Sequence, residues 1–290
     1  MIKKRISIIG AGKVGSAIAC ILATKGYEIF GVFSKSLKSA KRLADRVKAK
    51  TISDIDSIPV DVDIVLITTP DSEIDNIVQS LMLSPRECQG KFIFHTCGSQ
   101  SCDVLGVLRE NGWQVGSLHP LQAFADIETA MRILPSAYFA VDGDVSAQEV
   151  AKQMVRDIGG KSFYVPSQKR ALYHAAACMA SNYTVTLIHA ATQLLAKVGI
   201  SENEAITALT PLMQGSFMNI QEQGTVKALT GPIVRGDVLT IAKHLEAIKE
   251  FSSPEVEIYT ALGQYAHNIA NQRNCLSKEQ DRALSDVFNL

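Results

Sequence analysis

The sequence lacks the features that would assign it to a membrane, to nucleic acid or to an oxidising compartment. No apolar run approaches the roughly 20 residues that a membrane-spanning helix needs. The 29 basic and 29 acidic residues cancel, so no net field favours nucleic acid or an anionic membrane. The six cysteines are scattered without a C-x-x-C pair, which predicts free thiols and no metal site. The chain begins Met-Ile-Lys-Lys-Arg and shows no cleavage-site pattern, so we expect a cytoplasmic protein without a signal peptide.

A glycine-rich turn near the N-terminus carries the clearest functional signal. Apolar residues lead into Gly10, Gly12 and Gly15, and a helical pattern follows over residues 16–25. This order of strand, G-x-G-x-x-G turn and helix is typical of dinucleotide binding, because each glycine permits a close backbone approach. The helix N-terminus offers N–H groups and a positive dipole end to a pyrophosphate. The predicted cofactor-binding residues of this turn are Gly10, Ala11, Gly12, Lys13, Val14 and Gly15. The alternative is a glycine-rich turn without a ligand.

Strands and helices alternate through the first half of the chain. Strands are predicted at 5–9, 28–33, 50–52, 63–68, 91–95, 113–118, 137–141 and 161–165. Helices are predicted between them at 16–25, 39–47, 74–82, 104–111 and 147–158. This alternation predicts an α/β fold with an N-terminal doubly wound parallel sheet, a Rossmann domain spanning residues 1–166.

Only helical periods follow Pro166, so residues 167–290 are predicted to form a C-terminal all-α domain. Apolar residues spaced by threes and fours predict one long buried helix over residues 172–198. Capping boxes are predicted at Ser201 and Ser277, and Asp237 is a plausible N-cap for a helix over residues 238–251. Pro254 suits the first turn of the helix that follows.

The end of the second strand predicts which dinucleotide binds. NAD-binding domains usually place an Asp or Glu there to hold the ribose 2′-hydroxyl. This strand instead ends in Ser34, Lys35 and Ser36, and further basic residues follow. Hydroxyl and cationic groups suit a 2′-phosphate, so NADP is predicted as the cofactor. The alternative is a solvated basic helix face.

Ligands of open α/β sheets lie at the carboxyl ends of the strands, where three loops offer candidate residues. Thr68, Thr69 and Pro70 follow one strand and are predicted to line the nicotinamide-ribose side. The segment from His95 through Cys97 and Gly98 follows the next strand, and Cys97 and Gly98 are assigned to the cofactor site. His119 closes a third strand and is the preferred proton donor. His95 is the alternative, although a histidine in this position often only bonds within the core.

The predicted long helix carries a polar stripe. At 100° per residue, seven side chains fall within about 120° of one another. They are Arg170, His174, Cys178, Ser181, Asn182, Val185 and His189. Because buried polar groups need partners, the stripe faces a cleft, a subunit interface or water. In the first case His174, Ser181 and Asn182 meet the substrate; the alternatives are a dimer interface or a hydrogen-bonded core network.

A loop with Gly-Pro and Arg-Gly-Asp sequences interrupts the helical half. Its Arg235 is a candidate for bidentate binding of a substrate carboxylate. In the alternative interpretation, Arg235 and Asp237 only organise the turn and cap the next helix.

Four segments together resemble a bacterial family: the glycine motif, Gly116–Gln122, Tyr173–Tyr183 and Leu229–Asp237. That family pairs a Rossmann-like NADP-binding domain with a C-terminal helical domain of unassigned function. It is similar to pyrroline-5-carboxylate reductases, ketopantoate reductases and 6-phosphogluconate or 3-hydroxyisobutyrate dehydrogenases. The resemblance implies a homodimer formed through the helices.

One departure from these relatives concerns the acid/base residue. Ketopantoate reductases and β-hydroxyacid dehydrogenases use a helix Lys with an Asn four residues on, but here Cys178 stands four before Asn182. His174 or His119 would replace that lysine.

The sequence therefore predicts an NADP(H)-dependent oxidoreductase that transfers hydride between nicotinamide and a small carbonyl or imine substrate in an interdomain cleft. The predicted catalytic residues are His119, His174, Ser181, Asn182 and Arg235. Two alternatives stay open: a ketopantoate reductase specifically, and a non-catalytic protein that senses NADP(H).

Overall fold

The computed structural model describes residues 4–55, 62–83, 88–251 and 253–289. The chain divides into two compact units, residues 1–181 and residues 182–290. The division falls after Ser181, whereas the sequence pattern placed the domain boundary near Pro166. No helix within the described ranges is long and apolar enough to cross a bilayer.

The described residues of the first unit form an eight-stranded sheet. Its strands are β1 (Arg5–Ile9), β2 (Glu28–Phe33), β3 (Lys50–Ile52), β4 (Ile64–Ile67), β5 (Phe92–His95), β6 (Gln114–Pro120), β7 (Tyr138–Gly143) and β8 (Lys161–Tyr164). Its helices are α1 (Lys13–Thr24), α2 (Leu37–Val47), α3 (Ile74–Leu83), α4 (Ile127–Ile133), α5 (Val145–Ile158) and α6 (Arg170–Ala180). The strand order is β3-β2-β1-β4-β5-β6-β7-β8, so the order reverses between β1 and β4. This reversal is the position at which doubly wound sheets bind ligands.

The central strands are buried on both faces, which explains their continuous apolar sequence. In β4, Ile64 and Leu66 belong to the core on one face, which also contains α1 and α5. Val65 and Ile67 point to the other face, where α3 packs. Because successive side chains of a strand alternate between faces, four apolar residues in a row stabilise both layers. The prediction of a doubly wound α/β fold is confirmed.

Two features of this unit differ from the prediction. The sheet is not wholly parallel, since β7 runs antiparallel to β6 and pairs Phe139 with Pro120. The chain leaves β6 at the carboxyl edge, α4 packs against α1, and β7 starts beside the end of β6 without crossing the sheet. The predicted helix near residues 104–111 is instead a 3₁₀ segment, Cys102–Asn111.

The prediction of one long buried helix over residues 172–198 is wrong. Ser181, with φ −113° and ψ −71°, separates α6 from α7 (Asn182–Lys197). Leu172, Met179 and Tyr183 are 70%, 62% and 62% exposed. The apolar spacing continues across Ser181, so periodicity alone gave no sign of the break.

In the residues that the structure describes, the second unit consists of helices and the loops between them. The helices are α7 (Asn182–Lys197), α8 (Glu202–Ala228), α9 (Val238–Phe251), α10 (Ser253–Gln272) and α11 (Lys278–Phe288). Gly224, at φ 76°, marks a kink inside α8. Both predicted capping boxes are present, Ser201 with Glu204 and Ser277 with Gln280. Asp237 accepts a 3.1 Å hydrogen bond from the Thr240 N–H and caps α9, as predicted.

Candidate functional site

The glycine turn between β1 and α1 is fixed by contact with the loop after β4. A Cβ at Gly10, whose φ is 106°, would lie 2.8 Å from the Thr68 backbone, and one at Gly15 would collide with the Thr68 hydroxyl. At Gly12 the nearest atom to such a Cβ is 4.0 Å away. Gly10 and Gly15 are therefore required for packing, whereas Gly12 leaves its backbone open to a ligand.

A pocket of about 610 Å³ opens beside this turn. Its lining includes nine of the residues predicted for the cofactor: Gly10, Ala11, Gly12, Ser34, Lys35, Ser36, Thr68, Thr69 and Pro70. Gly12 is the N-cap of α1 and has no capping side chain, so the first-turn N–H groups of α1 stay available to an anion. The volume lies in the range of small-molecule and cofactor sites.

The other predicted cofactor residues do not line this pocket. The Lys13 ammonium donates to the Phe124 carbonyl at 3.3 Å, and Val14 packs against the core. Gly15 packs beneath the turn on Thr68. Cys97 and Gly98 lie after β5, in a second cluster of polar groups described below.

The end of β2 brings hydroxyl and cationic groups to the pocket. Ser36 caps α2, because its hydroxyl accepts a 3.3 Å hydrogen bond from the Ser39 N–H. Lys35 lies next to it, with a side chain that is 91% exposed. Its ammonium is 3.8 Å from the carboxylate of Glu73, which follows β4 and also lines the pocket. Sequence reasoning missed Glu73, because it searched for an acid only at the end of β2.

His95 is held as a neutral structural residue. Its Nδ1 accepts a 3.2 Å hydrogen bond from the Cys97 N–H, so Nε2 carries the proton and donates to the Ser101 carbonyl at 3.0 Å. Burial lowers the pKa of His95 to about 4. Both ring nitrogens are occupied and the side chain is fully buried, so the geometry does not support His95 as a proton donor.

The loop after β5 joins the loop after β4 through side chains. The Cys97 thiol is 3.2 Å from the Ser99 hydroxyl, which donates to Asp71 at 3.1 Å. Burial raises the pKa of the Cys97 thiol, which disfavours the thiolate and hence a nucleophilic role.

His119 at the end of β6 is paired with a residue that the sequence analysis did not select. Its Nδ1 lies 2.7 Å from the hydroxyl of Tyr173, in the first turn of α6. Burial and, as the second cause, the positive charge of Arg170 lower the pKa of His119 to about 4. Burial raises the pKa of Tyr173 to about 12, against the opposing effect of Arg170. At neutral pH the pair therefore consists of an uncharged imidazole and a protonated phenol.

His174 completes this cluster. Its ring centroid is 6.1 Å from that of His119, and its Nδ1 is 3.7 Å from the Cys178 sulfur. A Cβ at Gly98 would lie 2.6 Å from His119 Nε2 and 2.7 Å from His174 Cδ2. The missing side chain of Gly98 thus makes room for both imidazoles.

Arg170 lies beneath the cluster with 1% of its surface exposed. One guanidinium nitrogen donates to the Cys97 carbonyl at 3.3 Å, and the guanidinium carbon lies 5.5 Å from the Tyr173 ring centroid. Its Nε and Nη1 have no hydrogen-bond partner among the described residues. The polar stripe in the sequence includes both Arg170 and His174, but it does not indicate that Arg170 is buried whereas His174 is only half-buried.

The remaining predicted catalytic residues lie at the end of the first unit or in the second unit. Ser181 ends the first unit, and Asn182 begins α7 of the second. Arg235 is exposed in the turn before α9, where its carbonyl accepts a hydrogen bond from Gln280 at 3.2 Å. No group of three His, Cys, Asp or Glu side chains in the described ranges is placed to hold a metal ion.

The doubly wound sheet, the glycine turn and the pocket at the strand reversal define a Rossmann-type α/β domain, which a helical unit follows. Residues 2–120 match the family model of the Rossmann-like domain. Residues 137–266 match the model described as a domain of unknown function, DUF2520. These matches confirm the resemblance predicted from the motifs. No curated protein matches the sequence.

Solved structures share the fold over nearly the whole chain. Protein TM1727 from Thermotoga maritima is 24% identical, with a TM-score of 0.73 over 93% of this chain and 99% of its own. A reductive aminase from Aspergillus terreus, in complex with NADPH and ethyl levulinate, is 17% identical, with a TM-score of 0.66 over 95% and 100%. A 1-pyrroline-5-carboxylate reductase from Streptococcus pyogenes is 16% identical, with a TM-score of 0.60 over 100% of both chains. At these identities the likeness establishes the fold.

Proposed function

We propose that this protein is an NADP(H)-dependent oxidoreductase that reduces a small carbonyl or imine compound. The observation that carries the proposal is the hydrogen-bonded pair of His119 and Tyr173. It lies at the end of β6, in the same sheet whose strand reversal holds the nucleotide-sized pocket. A pocket alone fits a storage or sensing protein, whereas a half-buried pair that can donate a proton supports reduction.

The pocket suits a dinucleotide in its shape and its polar groups. The open backbone at Gly12 and the uncapped N-terminus of α1 fit a pyrophosphate. Ser34, Lys35 and Ser36 provide hydroxyl and ammonium groups for a 2′-phosphate. The relative from Aspergillus terreus is described with NADPH, which is consistent with this choice.

Tyr173 and His119 supply and hold the proton in this proposal. When bound, a reduced nicotinamide supplies hydride, and the oxygen or nitrogen of the substrate must then gain a proton. The phenol of Tyr173 is protonated across the neutral range, because its pKa is raised to about 12. His119 orients the phenol through Nδ1. Arg170 favours proton release, since its charge stabilises the phenolate.

The proposed substrate class, a carbonyl or imine compound, is the class whose reduction needs a proton from Tyr173. A phenol that donates one proton serves a ketone and an imine alike. The names of the relatives, a reductive aminase and a pyrroline-5-carboxylate reductase, favour the imine. Reduction of ketopantoate remains the alternative within the class, and the helix lysine of ketopantoate reductases is absent at the matching position, Cys178.

The test is oxidation of NADPH, followed at 340 nm, with a panel of cyclic imines, ketone and amine pairs, 2-keto acids and ketopantoate. Turnover of an imine is expected, and Tyr173→Phe should lower kcat at least about 100-fold while the Kd of NADPH stays within about twofold. Tyr164→Phe is the matched control, because Tyr164 is an exposed tyrosine on β8. NADPH binding without turnover of any compound would favour the sensor alternative.

The proposal includes a homodimer formed through the helical unit. Apolar side chains on α7 and α8 are exposed, among them Val185, Leu212, Phe217 and Met218. Exposed apolar surface of this kind marks an interaction site, and a second copy is the partner that the family resemblance implies. Light scattering that gives the mass of one chain at micromolar concentration would contradict the dimer.

A further inference from the structure

A carboxylate faces the position at which the second strand presents its cation. The Lys35 ammonium and the Glu73 carboxylate lie 3.8 Å apart, and both line the nucleotide pocket. Lys35 follows β2, whereas Glu73 lies in the 3₁₀ turn Asp71–Glu73 after β4. The two ends of the strand reversal thus bring opposite charges into one pocket.

We infer that Glu73 limits the preference of this protein for NADP(H) over NAD(H), an inference that rests on the proposed function. The 2′-phosphate is the group that distinguishes the two cofactors, and Lys35, which stands between Ser34 and Ser36 in the chain, is the basic residue that lines the pocket. Glu73 pairs with that cation before a nucleotide arrives. A 2′-phosphate must take Lys35 away from Glu73 and then lie close to the carboxylate.

The exposure of the two side chains allows this competition. Within the described residues, neither Glu73 nor Lys35 forms a second ion pair, and the Lys35 side chain is 91% exposed. Lys35 can therefore swing towards a phosphate without losing buried contacts. The Glu73 side chain is only 38% exposed, and Glu73 belongs to the 3₁₀ turn that follows Pro70. Glu73 is therefore more restricted in position than Lys35.

The charge of Glu73 should weaken the binding of NADPH more than that of NADH. Two unit charges about 4 Å apart in water interact by about 1 kcal/mol, which corresponds to about fivefold in affinity. A dianionic 2′-phosphate feels the nearby carboxylate more strongly than a neutral 2′-hydroxyl does. Replacement of Glu73 by a neutral side chain should therefore strengthen NADPH binding and leave NADH binding nearly unchanged.

The test is the dissociation constant of NADPH and of NADH, measured by nucleotide fluorescence with the full chain at low ionic strength. Glu73→Gln should tighten NADPH about threefold to tenfold and change NADH less than twofold. Asp75→Asn is the matched control: it removes an exposed carboxylate of α3 that does not line the pocket, and it should change neither constant. Added salt should reduce the gain, because screening weakens surface charge interactions.

A Lys35→Gln variant then separates the sources of the gain. In that background Glu73→Gln should give a smaller improvement for NADPH, since the competition for Lys35 is gone. An unchanged NADPH constant in Glu73→Gln would overturn the inference alone. Weaker binding of NADH in that variant would also overturn it, because Glu73 would then be a ribose ligand. If the wild-type chain binds neither cofactor, the proposed function fails with it.

Discussion

Replacement of His95 tests whether this histidine is a structural or a chemical group. The folded protein holds His95 with a pKa of about 4, while an unfolded chain has the ordinary value near 6.5. Between these values the unfolded state binds more protons, so the stabilising effect of a neutral His95 is present above pH 6.5 and is lost as the pH falls towards 4. From these two pKa values, the free energy of unfolding should fall by about 2 kcal/mol between pH 7 and pH 5 through His95 alone.

The physical cause lies in the two hydrogen bonds of the ring. Protonation would turn Nδ1 into a donor facing the Cys97 N–H, which is itself a donor. The loop that carries Gly98 would then lose its anchor. His95→Asn leaves a smaller side chain in a fully buried site, so its free energy of unfolding should be lower than that of wild type at pH 7. Because asparagine does not titrate, that free energy should also depend less on pH.

The assay is urea unfolding at several pH values, followed by tryptophan fluorescence. The chain has one tryptophan, Trp113, which is buried just before β6 and reports the first unit alone. His244→Asn is the control, because His244 is exposed on α9 of the second unit. Equal loss of stability between pH 7 and pH 5 in wild type and in His95→Asn would refute the reasoning.

Three further predictions concern the glycine turn, Gly98 and the N-cap of α11. Gly15→Ala should destabilise the first unit by about 1–3 kcal/mol because its Cβ has no room, whereas Gly12→Ala should leave thermal stability unchanged yet weaken NADPH binding at least about tenfold. Gly98→Ala should displace His119 and lower kcat with little change in NADPH affinity, as steady-state kinetics and titration would show. Ser277→Ala removes the cap of α11 and should lower unfolding free energy by about 1 kcal/mol, measured by circular dichroism.

The strands and the glycine turn could be predicted because their signals are local. Apolar runs such as Asp63–Thr68 indicate strands buried on both faces, and the spacing of Gly10, Gly12 and Gly15 indicates the turn. The direction of β7 could not be predicted in this way. It depends on α4 packing against α1, which is a contact between distant parts of the chain.

The site was predicted in part for the same reason. His119 is placed by the strand that it closes, so its position follows from the β6 pattern. Tyr173 was not selected as a site residue, because it lies 54 positions after His119 and its hydroxyl meets that ring only in the folded chain. Glu73 escaped notice because sequence rules assign the ribose contact to the end of β2. The break at Ser181 could not be predicted, because the spacing of apolar residues continues across it.

In the proposed homodimer, the exposed apolar side chains of α7 and α8 would make protein concentration a variable of stability. The core of the second unit joins α9 and α11 through Ile241, Leu245, Leu284 and Phe288. The exposed surface of Phe217 and Met218 would gain its burial from that proposed association, which follows mass action. If the dimer forms, dilution should therefore lower the melting temperature of the helical second unit. The melting temperature of the first unit should not depend on protein concentration.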